Sequence, residues 1–159
     1  MSQHDSIDTF APEIPAMRAL IGLDFGEKTI GVAVSDLMLS IATPLLTVRR
    51  TKFTEDAAAV LKVIADRRIA GIILGLPRNM DGSEGPRAQA TRAFARNLAR
   101  LTPLPIGFWD ERLSTVAAER ALLEADTSRK RRKEVIDHVA AGYILQGVLD
   151  RMAHIKRQA

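Results

Sequence analysis

Ile21-Gly22-Leu23-Asp24-Phe25-Gly26-Glu27-Lys28-Thr29-Ile30-Gly31-Val32-Ala33-Val34-Ser35 is the stretch on which the reading of the fold turns. Ala19 to Asp24 forms an apolar run ending in a carboxylate. Ile30 to Ser35 forms a second run rich in β-branched residues, and Phe25 to Thr29 between them is turn-forming, so the pattern predicts a β-hairpin. A third strand is expected from Leu45 to Arg49, after the break at Pro44, which makes the opening an antiparallel meander.

Beyond the meander the period changes. Ala57, Val60, Leu61 and Ile64 recur at i, i+3, i+4, i+7, the mark of an amphipathic helix from about Thr54 to Arg67-Arg68. Ile69 to Leu76 is almost unbroken in apolar character, as a central strand covered on both faces would be. The loop Pro77 to Gly85 leads to a second helix striped by Phe94, Ala95, Leu98 and Leu101, and Pro105 to Trp109 reads as a fifth strand. Ala118, Ala121, Leu122 and Ala125 stripe a third helix; Ile136, Val139, Ala140, Tyr143 and Gly147 stripe a fourth. Strands and helices in that order call for an α/β fold, a mixed five-stranded sheet with helices on both faces.

The chain has 159 residues, 47% of them hydrophobic, enough for one full domain with its own core. Met1 to Met17 carry acids and prolines without a continuous apolar run. They read as a flexible N-terminal tail ahead of a domain over residues 18–155, and His4 and His154 as surface residues. No stretch is long enough to span a membrane. The absence of cysteine excludes a disulfide framework and a thiolate metal site, and fits a reducing, cytoplasmic setting. A net charge of +4 suits a polyanionic partner, and the densest cationic run, Arg129-Lys130-Arg131-Arg132-Lys133, reads as an exposed basic loop. Cations just before a helix N-terminus oppose the helix dipole, so phosphate contact is the natural reward for placing them there; a solvated charge run is the bland alternative.

Open α/β sheets carry their sites beyond the carboxyl ends of parallel strands. Asp24 closes the first strand and Asp110-Glu111-Arg112 the fifth. Asp24 in a central strand would be costly without a cationic partner, and a metal would serve; a hairpin cap is the other option. Asp110 and Glu111 are adjacent, so in an extended chain only one can point towards Asp24. The longer Glu111 is favoured, with Asp110 left to support it or to pair with Arg112. Asp137 lies on the edge of the fourth helix's apolar stripe, where it can face the sheet, whereas His138 turns away. If Asp24, Glu111 and Asp137 converge, their charges require divalent cations, and oxygen-only ligation favours Mg2+ or Mn2+. Two such ions about 4 Å apart serve phosphodiester hydrolysis without a protein nucleophile.

Four segments then carry a family resemblance: Ile21 to Asp36, Gly75 to Arg87 (Gly-Leu-Pro-Arg-Asn-Met-Asp-Gly-Ser-Glu-Gly-Pro-Arg), Trp109 to Thr115 (Trp-Asp-Glu-Arg-Leu-Ser-Thr), and Ile136 to Ala141 (Ile-Asp-His-Val-Ala-Ala). In these motifs, spread over about Arg18 to Leu149, the chain closely resembles the YqgF family, also called RuvX. The resemblance implies a ribonuclease H-like fold related to the RuvC resolvases, with Asp24, the pair Asp110-Glu111 and Asp137 at the acidic positions. It implies a nuclease acting on branched DNA, as a Holliday junction resolvase, or on the precursor of small-subunit ribosomal RNA. Lys28, Arg78, Asn79, Ser83, Arg87, Arg112 and the run Arg129, Lys130, Arg131 and Arg132 would then face the nucleic-acid backbone. Symmetric cutting of a four-way junction needs two sites, hence a homodimer, whereas a monomer can trim RNA.

Two rivals share these features. Asp24-x-Gly26 followed by Lys28-Thr29 and Gly31 also looks like the phosphate hairpin of actin-like ATPases, which need a second lobe that this chain has no room for. A non-catalytic nucleic-acid-binding module on the same fold is the other, and retention of all three acids argues against it.

Overall fold

A computed structural model describes residues 2–113 and 129–158, with the side chains of 129–137 outside that description. The meander forms as its pattern predicts. Strands β2 (Ala19–Phe25) and β3 (Thr29–Ser35) pair antiparallel, and β3 pairs antiparallel with β4 (Ala42–Arg49). The turn closes through the Gly26 amide donating to the Thr29 carbonyl at 2.9 Å. Arg50 clamps it by donating to the Gly26 carbonyl at 2.6 Å and stacking over the Phe25 ring at 4.2 Å.

β4 starts earlier than expected and contains Pro44. It is the edge strand of the sheet, and its register shifts opposite Val32 and Ala33, next to the proline, so the missing amide donor costs no central ladder bond.

Helix α2 (Phe53–Asp66) buries Ala57 and Val60 of its predicted stripe, while Leu61 and Ile64 pack partly buried and Val63, outside that stripe, is buried too. The Asp56 carboxylate accepts from the Thr51 amide at 3.0 Å, which fixes the chain entering the helix. The helix stops at Arg67, and Arg68 follows in a left-handed conformation at φ 53°. Strand β5 (Ile69–Leu76) is buried throughout. Helix α3 (Pro86–Ala99) begins with Pro86 in its first turn, a position where a missing amide does no harm. Leu101, expected on its stripe, lies beyond the helix and is exposed.

β6 (Ile106–Asp110) runs parallel to β5, and β5 runs parallel to β2, so the three strands carry their carboxyl ends to one side of the sheet. A 3₁₀ turn over Glu111–Leu113 follows β6. The last helix, α4 (Arg129–Gln158), spans 30 residues. The expected basic loop is therefore corrected: Arg129 to Lys133 open this helix, whose backbone is continuous through them. The expected helix around Ala118 to Ala125 lies outside the described residues.

A larger difference is at the N-terminus. The sheet has six strands, not five, in the order β1-β6-β5-β2-β3-β4, because Gln3–His4 forms β1 and pairs parallel with Ile106 and Gly107 of β6. A short helix α1 (Ile7–Phe10) and a 3₁₀ turn (Ala11–Glu13) follow, with Ile7 and Phe10 buried. Residues read as a loose tail thus pack onto the sheet. Gly71 and Gly107 leave the space that the Phe10 ring fills, since a Cβ at either would lie within 3 Å of it. His4, read as a surface residue, is tied to Glu13 and to the Thr9 hydroxyl.

Two apolar clusters flank the sheet. One joins β2, β3, β5 and β6 to α2 and α3; the other joins the opposite face to α1 and α4 through Ile73, Trp109, Ala141, Ile144 and Leu145. Helices on both faces are thus confirmed.

Candidate active site

Asp24 sits at the carboxyl end of the central strand β2, 7% exposed. Two residues earlier, a Cβ on Gly22 would lie 3.2 Å from the Ala141 carbonyl oxygen, so Gly22, and with it Asp24, faces α4. On the neighbouring strand, Leu74 pairs with Leu23, which sets Gly75 beside Asp24. Gly75 faces α4 too, because a Cβ there would meet Ile144.

The Glu111 carboxylate occupies the space over Gly75, with Oε1 3.2 Å from where a Cβ would stand. Neighbouring strands lie about 4.8 Å apart, so the Glu111 oxygen is within roughly 8 Å of the Asp24 Cβ. Two carboxylates from strands separated by β5 therefore share one face at the carboxyl end of the parallel strands. Of the acidic pair, Glu111 lies on the Asp24 side over Gly75, and Asp110 does not.

Asp110 points elsewhere. The Arg112 guanidinium donates to its Oδ2 at 2.7 Å, and Arg78 lies 3.9 Å away. The hydrogen bonds from Arg112 hold the Asp110 carboxyl below its ordinary range against the opposing effect of burial. Arg78 also lies 3.5 Å from Glu84, while its Nε is buried without a hydrogen-bond partner. Arg78 and Arg112 are thus engaged in ion pairs with acids of the protein.

The loop after β5 is rigidly tied. Asn79 donates its amide to the Ser83 carbonyl and its side chain to the Ser83 hydroxyl, and Ser83 in turn bonds Asp81. Gly82 adopts φ 90°, a conformation that side chains rarely accept, with the Arg112 guanidinium packed beside it. Asn79 and Ser83 are exposed on this loop, as are Lys28 in the hairpin turn and Arg87 at the start of α3.

Asp137 stands one helical turn before Ala141 and two before Ile144, both buried against the sheet, so its backbone register falls on the stripe facing Asp24. Its side chain, and those of Arg129, Lys130, Arg131 and Arg132, lie outside the described residues. Among the described residues no group of three acids or histidines forms a metal cluster. His138 does not turn away: its Nδ1 lies 2.9 Å from the Thr47 hydroxyl of β4, which fixes where α4 crosses that strand.

Two features escape a reading of the sequence. Gly75 interrupts an apolar strand, a local signal of close approach by another group. Arg92 of α3 binds Glu84 through two hydrogen bonds of 2.6 and 2.7 Å and Asp5 at 2.8 Å, a hub joining three distant segments that no local pattern reveals.

A three-strand meander, two parallel strands beyond it and a helix across the acid-bearing face define the ribonuclease H-like architecture. The solved structure of Thermus thermophilus RuvC in complex with a Holliday junction substrate superposes with a TM-score of 0.53 at 14% identity, covering 86% of this chain and 96% of that one. The family model described as "RuvX: Holliday junction resolvase" matches residues 18–151, and the chain belongs to that family of nucleic-acid hydrolases. A relative in Ruegeria sp. (strain TM1040) is 74% identical over 153 residues, 96% of this chain and 98% of its own length. One in Cereibacter sphaeroides is 74% identical over 155 residues, 98% and 97% of the two chains. Both carry the name "Putative pre-16S rRNA nuclease".

Proposed function

We propose that this chain is a cytoplasmic, divalent-metal-dependent endonuclease that hydrolyses phosphodiester bonds in the precursor of small-subunit ribosomal RNA. The observation that carries the reading is the Glu111 carboxylate over Gly75, on the same sheet face as the buried Asp24. Two hard oxygen donors so close, with a third acid in register on α4, make a donor set that fits Mg2+ or Mn2+. Asp24, Glu111 and Asp137 would hold the ions. When bound, such ions supply activation of the attacking water and neutralisation of charge at the leaving oxygen.

The protein's own part is orientation. Asp24 is fixed by the central strand and Glu111 by its packing against Gly75 and the turn that follows β6. Asp110 stays ionised through Arg112 and supports that turn from the opposite side. Lys28 and Arg87 are exposed and form no ion pair among the described residues, so both can meet backbone phosphates. Asn79 and Ser83 are likewise exposed, and the run Arg129 to Arg132 would add positive charge for a polyanion, while Arg78 and Arg112 contribute mainly through the acids they hold.

The names of the relatives favour precursor ribosomal RNA; the description of the family model favours a second substrate, branched DNA cut by a homodimer. Side-by-side cleavage of precursor RNA and four-way junction DNA, in Mg2+ and in Mn2+, separates them. Asp24→Asn should reduce cleavage of the true substrate at least about a hundredfold, beyond the usual cost of losing an outer-shell group, while leaving the fold and most nucleic-acid affinity intact. Undiminished cleavage by that variant would refute the mechanism.

A further inference from the structure

We propose that Arg92 and Asp5 are positioning residues of the nuclease site, and that the segment Gln3–Glu13, ahead of the residues matched by the family model, belongs to the frame that holds Glu111. This assignment rests on the nuclease reading and extends it to residues outside the acid cluster.

Strand β6 is held unequally on its two sides. On its inner side it is laddered to β5 as far as Asp110, opposite Leu76. On its outer side the ladder to β1 ends at the pair His4 and Gly107. Among the described residues, no strand therefore covers the outer edge of Phe108, Trp109 and Asp110, the residues that deliver Glu111. Helix α1 packs beside this stretch, and side chains tie it to the segments around it.

A chain of alternating charges runs past this stretch on the α3 side of the sheet. Asp5 accepts from Arg92 at 2.8 Å, and Arg92 grips Glu84 with two hydrogen bonds. Glu84 lies 3.5 Å from Arg78, Arg78 lies 3.9 Å from Asp110, and Asp110 accepts from Arg112. The Arg92 guanidinium also stacks over the Phe108 ring at 4.8 Å, three residues before Glu111. The side chains of Arg92 and Glu84 are 23% and 24% exposed, so water screens this pair less than a surface pair. Its bonds hold Glu84 ionised, chiefly through Arg92.

Within this chain of charges, Arg92 is the member that touches the N-terminal segment, the loop after β5 and the face of β6 together. A planar guanidinium can make the two bonds to Glu84, reach Asp5 and stack on Phe108 at once; a lysine ammonium cannot. Loss of Arg92 would remove the tie that links Phe108 of β6 to Asp5 and Glu84. Glu111 would then lose its fixed position over Gly75 with no change to the acids themselves.

The test measures Mn2+ binding to the full chain without nucleic acid, by the loss of the free-ion paramagnetic resonance signal, alongside thermal unfolding. The variants are Arg92→Gln, Arg92→Lys, Asp5→Asn and Asp24→Asn. Arg92→Gln should weaken Mn2+ binding about tenfold, the lower end for an outer-shell partner. Arg92→Lys should fail to restore it, and Asp5→Asn should weaken it by a smaller factor with little change in melting temperature. Mn2+ affinity unchanged in Arg92→Gln, whatever happens to its melting temperature, overturns the proposal by leaving Arg92 a scaffold residue. If Arg92→Gln does not fold, Asp5→Asn decides on the same criterion. Wild-type chain that binds no more Mn2+ than Asp24→Asn would overturn the nuclease reading itself, and this inference with it.

Discussion

Gly75→Ala probes the space over which Glu111 sits. The added methyl would stand 2.5 Å from Ile144 Cδ1, 3.1 Å from its Cγ1 and 3.2 Å from Glu111 Oε1. Ile144 is fully buried, so it has no free volume to retreat into. Overpacking of this kind costs about 1–3 kcal/mol. Replacing glycine within a strand returns roughly 0.5–1 kcal/mol. The net loss lies between about zero and about 2.5 kcal/mol, and its centre near 1 kcal/mol lowers the melting temperature of a chain this size by roughly 2–4 °C. Adding Ile144→Val removes the atom that would clash worst and should recover most of that loss, while the Glu111 oxygen must still yield by a few tenths of an ångström. Thermal unfolding and Mn2+ titration of the single and double variants separate the two effects: the double variant should melt near the wild type yet bind the ion more weakly. A double variant that melts near the wild type and also binds the ion as the wild type does would refute the assignment of Glu111 to this space.

Neutralising Arg131 and Arg132 to glutamine should weaken RNA binding and reduce the slope of log affinity against log salt by about 0.7 for each phosphate that is no longer neutralised; an unchanged slope would remove the basic turn of α4 from the interface. Asp36 offers a pH prediction. Hydrogen bonds from the Ile41 amide, then from the Ser40 hydroxyl, lower its carboxyl from 3.8 to about 2. Its folded pKa is depressed, so its contribution is fully present above the unfolded value near 3.9 and is lost as pH falls towards about 2. Denaturant unfolding across the range from about pH 2 to about pH 5 should show a shallower acid loss of stability in Asp36→Asn than in the wild type, and identical curves would refute the role.

The hairpin strands and β5 were legible as short apolar runs buried along their length, and α2 and α3 because one buried face imposes a helical period on each. Alternation along the chain showed only that one of the two adjacent acids could face Asp24, and the longer arm of Glu111 was the ground for favouring it. The N-terminal segment was not. Its aromatic anchor, Phe10, fits against the sheet where Gly71 and Gly107, far away in the chain, carry no side chains of their own. Pro44 misled for a related reason, because a proline ends a central strand but not an edge strand. The hub at Arg92 joins residues 5, 84 and 108, and no spacing along a chain encodes such a meeting.

The two-residue strand β1 also shields the margin on which it lies. A sheet whose last strand lies bare offers its backbone as a template to other molecules. At the opposite margin, Pro44 lacks an amide to offer and Arg49 adds charge. On the β6 side, a ladder too brief to recruit a newcomer and a helix turned across it do the same work. The opening residues thereby guard the protein against strand-to-strand self-association.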